Sequence, residues 1–434
     1  MTQAIVTSAN SPPARDFRLD LWRGVALLMI FIDHIPGNIL STVTLKSFGF
    51  SDAAELFVFV AGYSSMLAYG RRFFKGENSS AVLRIFRRVG QLYLAHIALF
   101  VLVAGIVGIY AFRLSGDDFE DPLVILPFIA DPHTHLKHVL ALRYVPKFLD
   151  ILPLYIVLMA SLPILLLLAR VHLLLCFGVS LCVYALGQNW DLQSWVTDAS
   201  PHWTFNPIAW QFLFTLGVIT ARRIIQTGRP LPRSKALIAL SALIVAVSAL
   251  LAAPWSSIPG LEGWTVVDAD FIYSFDKPNL SPIRLIHFLA LAYLAAVMVP
   301  INAPFLAGRW VRPLIQVGRN SLPIFCLGTV LSIVGQLIFQ SFGLGWPVQL
   351  AVDSVGFVTI LAAGSMLGFV SDRRKRAPSL ADQGASGTIK GSETQGRPGD
   401  NAVRDSSGSF DRLERDGSPS SAASLRCAGR IHAP

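Results

Sequence analysis

Residues 18–34 read RLDLWRGVALLMIFIDH. An apolar run carries Arg23 near one end and the pair Asp33–His34 at the other. Arg23 and His34 are eleven residues apart. On a helix turning about 100° per residue, that is about three turns plus roughly 20°, so both side chains leave the same face. At about 1.5 Å per residue they stand roughly 16 Å apart along the axis, about half a bilayer core. Ionisable groups in a membrane helix are costly and face a protein interior or a wet cavity. The stretch therefore reads as one wall of a lined site.

The rest of the chain supplies the setting. Of 434 residues, 53% are hydrophobic and only 15% charged, with a mean hydropathy of +0.55. A soluble domain carries nearer a quarter charged residues, so the chain reads as an all-α, polytopic membrane helix bundle. The net charge is +9. Its Lys and Arg fall in short groups beside apolar runs, the pattern of membrane orientation, and nucleic-acid binding is excluded on that pattern. Cys176, Cys182 and Cys326 lie in apolar runs and Cys427 near the C-terminus. Their spacing implies neither a disulfide framework nor a zinc site. No cleavable signal peptide is read; the first apolar run is a retained signal anchor.

Ten transmembrane segments are expected, at about 19–37, 52–70, 88–112, 148–169, 172–188, 206–224, 235–253, 283–300, 316–340 and 346–370. Loop charge tests that count. Arg71, Arg72, Lys75, Arg84, Arg87 and Arg88 follow the second segment, and further basic groups follow the fourth, sixth, eighth and tenth. The intervening loops lack a positive excess, so both termini are expected in the cytosol. Residues 1–15 read as a disordered cytosolic leader, 16–372 as the membrane domain and 373–434 as a disordered, Ser/Gly/Asp/Arg-rich cytosolic tail. Two outward loops are long, 113–147 and 254–282. Trp255, Trp264 and Tyr273 in the second suit an interfacial belt. In the first, DPHTHLKH (131–138) has histidines but no nearby Cys or carboxylate pairing, so it reads as a helix start and no metal is expected.

Several residues can carry chemistry. His34, on the outward end of the first helix, is a candidate general base for a hydroxyl proton. Arg23, on the cytosolic end, stays charged and binds phosphate or carboxylate through a planar fork. The bland alternatives are a snorkelling arginine and a histidine at a helix end. Asp33 points about 100° away from His34 on a helix. Glu55, in GFSDAAELFVFVAGY (49–63), is brought by the short loop to the depth of His34. Either carboxylate is a candidate to orient the imidazole. Asp52, beside Ser51, competes as a helix N-cap. Arg143, Asn206, Gln211, Arg284 and His287 all fall on the outward side and suit a sugar or an anionic acyl group. Each also reads as interhelical glue.

These residues carry a resemblance. RLDLWRGVALLMIFIDHIP (18–36) followed by GFSDAAELFVFVAGY resembles the start of OpgC-type proteins of the acyltransferase-3 superfamily. LRYVPKFLDILPLYIVLM (142–159), FNPIAWQFLFTLGV (205–218) and GRNSLPIFCLG (318–328) look like later blocks of the same family, so the resemblance covers about residues 16–372. It implies transfer of an acyl group, succinyl in the OpgC proteins, to osmoregulated periplasmic glucans. It implies acyl-CoA as a cytosolic co-substrate, no bound cofactor, and a multi-pass protein of the bacterial inner membrane. It implies His34 as catalytic base and Arg23 as a donor-binding residue. The alternative from another class is a transporter or exporter of a glycan or anion. No internal repeat is evident, which disfavours that alternative.

Overall fold

The computed structural model describes residues 16–113, 121, 123–189, 203–255, 260, 261, 264, 266, 267, 271 and 275–376. The expected leader 1–15, most of the expected tail, Cys427 and Tyr273 lie outside the described residues. Every described residue belongs to one compact unit, Met1–Arg376.

The described residues are helical, with no strand among them. Nine of the ten expected spans each fall on one helix, and the ninth in order, 316–340, falls on two. The helices are α1 (Phe17–Asp33), α2 (Ala53–Ser65), α3 (Asn78–Arg113), α4 (Pro132–Leu140), α5 (Ile151–Val171) and α6 (Leu173–Gly187). They continue with α7 (Pro207–Thr227), α8 (Lys235–Ala252), α9 (Pro282–Met298), α10 (Arg312–Arg319), α11 (Ser321–Phe342) and α12 (Trp346–Arg376). Helix is the natural answer for a chain in lipid, because it satisfies every backbone polar group within the segment. Seven helices among the described residues are long and apolar enough to cross a membrane: the α2 stretch to Phe74, α3, α5, α7, α8, α11 and α12. Leu173–Gly187 and Pro282–Met298 are apolar but shorter. The α1 helix has 17 residues and carries Arg18, Asp20 and Arg23.

Local chemistry sets the boundaries. Asp16 caps α1 by accepting from the Arg18 amide at 3.0 Å. A capping box opens α2: the Asp52 side chain accepts from the Ala54 amide, and Glu55 accepts from the Asp52 amide at 2.9 Å. The expectation of Asp52 as an N-cap holds. Asn206 caps α7, Pro207 occupies its first turn, and Gly228 ends it in the left-handed conformation at φ 63°. The expected ninth span is broken in two. The Asn320 side chain donates to the Gln316 carbonyl, at 2.9 Å, and separates α10 from α11. DPHTHLKH forms α4, capped by Asp131, and among the described residues no His/Cys/Asp/Glu cluster could hold a metal.

One helix reports the solvent. On α8, Leu237, Leu240, Leu243, Val247 and Leu250 are exposed while Ser241 and Ser248 are buried. That is the reverse of a water-soluble helix and suits a helix with lipid outside and polar contacts inside. Small residues set the tightest helix pairs. Gly62 of α2 lies against the Phe214 carbonyl of α7, and Gly217 of α7 lies against the Phe59 carbonyl of α2. Gly24 of α1 and Gly318 of α10 meet each other's helices in the same way. A Cβ at any of these positions would collide with backbone, so the pairs are held at the distance only glycine allows. The α1 helix is thereby enclosed, packed on α2, α10, α11 and α12.

Candidate active site

The Arg23 end of α1 opens on a cavity of about 270 Å³. Arg23 reaches across to α2. Its Nη2 donates to Ser64 Oγ at 2.5 Å and to the Val60 carbonyl at 3.3 Å, and its Nη1 stands 3.7 Å from Asp20 Oδ1. Arg88 of α3 and Arg319 of α10 line the same cavity. Arg319 donates to Gln316 Oε1 and to Asp372 Oδ1, both at 3.1 Å. The described lining holds three arginines and no carboxylate. A π-helical turn, Met66–Gly70, continues α2 and contributes Ala68 and Tyr69 to the wall. Such turns recur at functional sites. Apolar Phe57, Leu152 and Phe325 complete the wall. The arrangement suits a ligand with anionic groups and an apolar arm.

His34 closes the other end of α1 as its C-cap. Its carbonyl accepts from Gln336 Nε2 of α11 at 2.5 Å. Its ring packs on Phe148, with centroids 4.7 Å apart and planes tilted by 41°. Nδ1 is buried and makes no hydrogen bond among the described residues. Asp52, Lys277 and Lys46 lie within electrostatic reach of the ring. The cavity wall includes Ile151 and Leu152, in the first turn of α5, just beyond Phe148 in the chain. His34 itself does not line that cavity.

The expected carboxylate partners of His34 are engaged elsewhere. Asp33 Oδ1 accepts from Thr44 Oγ1 at 2.7 Å and pairs with Lys46 Nζ at 3.2 Å. Glu55 is fully buried. Its Oε1 is 2.6 Å from Arg284 Nη2 and 2.8 Å from Arg284 Nε, and its Oε2 accepts from the Asp52 amide. The reason is energetic. A carboxylate buried without a partner costs several kcal/mol, roughly, and the guanidinium fork of Arg284 offsets that cost with two hydrogen bonds and a full charge. Asp52 joins the group through Lys277 Nζ at 2.7 Å and Arg284 Nη2 at 3.3 Å. Two acids and two bases thus form one network between α2, α9 and the turn before α9.

The other candidates divide. Arg284 belongs to that network. His287 is buried beside it. Its Nδ1 shares a 2.8 Å hydrogen bond with Ser51 Oγ, and its Nε2 is buried without a partner among the described residues. Asn206, besides capping α7, donates to the Gly187 carbonyl at 3.0 Å and to Asn279 Oδ1 at 2.8 Å. Gln211 exchanges bonds with Ser180, at 2.6 and 2.8 Å. These two amides act as interhelical glue. Arg143 sits in the segment leading to Phe148, where its amide donates to the His138 carbonyl at 2.7 Å. Sequence reading missed Arg319, Gln336, Lys277 and Phe148. A glutamine within the apolar run of α11 was a legible signal for Gln336. Phe148 carried none, because one more phenylalanine in a membrane protein is unremarked by composition.

The fold and these two polar ends define a multi-pass helical membrane protein built around its first helix. The family model for the OpgC protein matches residues 15–371, and the chain belongs to the OpgC family. Membership implies an acyltransferase activity. No curated protein matches the chain.

Proposed function

We propose that the protein is an O-acyltransferase of the bacterial inner membrane. It moves an acyl group, succinyl by family, from a cytosolic acyl-CoA to a hydroxyl of a periplasmic glucan, and belongs to the acyltransferase-3 superfamily. Ten helices cross the bilayer, α10 and α11 counting as one crossing and both termini lying in the cytosol. The alternation of basic loops supports that orientation. It places the arginine-lined cavity on the cytosolic side and His34 toward the periplasm. No bound cofactor or metal is required.

In this reading Arg23, Arg88 and Arg319 hold the anionic groups of the donor, and the thioester points along α1 toward His34. His34 takes the proton of the acceptor hydroxyl as its oxygen attacks the thioester carbonyl. The C–O bond forms, the C–S bond breaks, and the proton passes to the departing thiolate. Phe148, rather than a carboxylate, packs on the imidazole, and Gln336 holds the His34 backbone through its carbonyl. The observation that carries the proposal is that α1 bears at one end Arg23, which lines a cavity with Arg88 and Arg319 of other helices, and at the other a histidine whose buried Nδ1 has no partner among the described residues.

The experiment is mass spectrometry of periplasmic glycans from strains carrying His34→Ala. Acyl groups should vanish while the protein still inserts and the glycan is still made. Normal acylation would sink the mechanism, and loss of the glycan itself would indicate an exporter.

A further inference from the structure

We propose that Phe148 is a positioning residue that keeps water from His34, so that the acyl group passes to an acceptor hydroxyl instead of being hydrolysed. The inference rests on the acyl-transfer reading above. It begins with an anomaly of backbone. Phe148 has φ 69°, in the left-handed region that a bulky side chain rarely enters. Leu142, six residues earlier, has φ 57°. Two such residues in one short segment require the surroundings to enforce them.

The segment is fixed on both sides. Tyr144 is fully buried and its hydroxyl donates to the Val124 carbonyl at 2.8 Å. The Lys147 amide donates to the Leu123 carbonyl at 3.2 Å, and the Leu149 amide to the Pro146 carbonyl at 3.2 Å. Leu149 and Asp150 are buried where α5 begins. These anchors hold residue 148 in its costly conformation, and the result is an aromatic ring laid on the His34 imidazole. Strain of this kind clusters where a site must be pre-organised.

The chemistry gives the ring a purpose. Acyl transfer and hydrolysis break the same C–S bond. A sugar hydroxyl yields an ester and a thiol, and water yields a free acid and a thiol. A base in open contact with water cannot discriminate between them. The tilted Phe148 ring packs against the imidazole and limits both its rotation and the approach of water from that side. With no carboxylate hydrogen-bonded to the His34 ring among the described residues, Phe148 supplies the orientation that a carboxylate was expected to give.

The test uses the full chain in lipid nanodiscs with succinyl-CoA and a glucan acceptor. Thiol release counts both reactions, and mass spectrometry counts the ester. In Phe148→Ala the ester share of thiol released should fall by about tenfold or more, while Phe148→Tyr restores it. Independently of activity, carbethoxylation of His34 by diethyl pyrocarbonate, located by peptide mass spectrometry, should accelerate in Phe148→Ala. If that variant does not insert, Phe148→Leu is read in the same two ways. An unchanged ester share, with both products falling together, overturns the proposal, as does unchanged labelling of His34. Those results beside an inactive His34→Ala enzyme would remove only the role of Phe148. Full transfer in His34→Ala would remove the acyl-transfer reading itself.

Discussion

The two ends of α1 arrange charge differently. At the Arg23 end, three guanidinium groups face one cavity, and the acids beside two of them, Asp20 and Asp372, stand outside its described lining. At the His34 end, charge is abundant but matched: Asp33 with Lys46, Asp52 with Lys277, and Glu55 with Arg284. The His34 ring stands among these pairs without a hydrogen bond on its buried Nδ1. A buried charge that serves the fold is neutralised, because an uncompensated one would unfold it. In the proposed mechanism, donor binding falls at the first end and proton transfer at the second.

Variants can break or sharpen that contrast. The largest effect is expected from His34→Ala, with acyl transfer falling about 10²–10⁴-fold by the usual contribution of a general base, measured as acylated glucan in nanodiscs. Next comes Arg284→Ala, which strands Glu55 and should destabilise the protein by about 3–5 kcal/mol. Thermal unfolding in detergent checks it, and adding Glu55→Gln should recover part of the loss. An Arg284→Ala protein as stable as its parent would show that the matched end is not structural. Arg23→Ala removes charge-assisted hydrogen bonds of about 1.5–3 kcal/mol, raising KM for the donor about 10–100-fold with less change in kcat. A drop in kcat alone would place Arg23 with the chemistry instead. The smallest change, Ser64→Ala, removes one partner of Arg23 and should weaken donor binding by only a few-fold, about 0.5–1.5 kcal/mol. A loss as large as that of Arg23→Ala would make Ser64 a direct ligand contact.

The helices were legible because their signals are local. Apolar runs of bilayer length, the Asp52–Glu55 capping box, and the Asn206-Pro207 start of α7 need only a few neighbouring residues to be read. One break was missed: the single expected span at 316–340 is α10 and α11 separated at Asn320, where a side chain competes for the backbone. The site was legible in part. Arg23 and His34 stood out as costly groups in an apolar helix, but their partners did not. Glu55 was a reasonable partner for His34 by depth, and Arg284, 229 residues away in the chain, bonds it instead.

By itself, then, the sequence determined an all-helical, lipid-facing chain, the placing of its helices and the two chemically charged ends of α1. Each of these follows from hydropathy, period and residue type within one segment. Only the tertiary structure decided which acid meets which base, that three arginines from three helices line one cavity, and that Phe148 lies on His34. Those pairings join segments far apart in the chain. They depend on which helices pack, and that is set by glycine-to-backbone contacts and buried charge matching that no local pattern records.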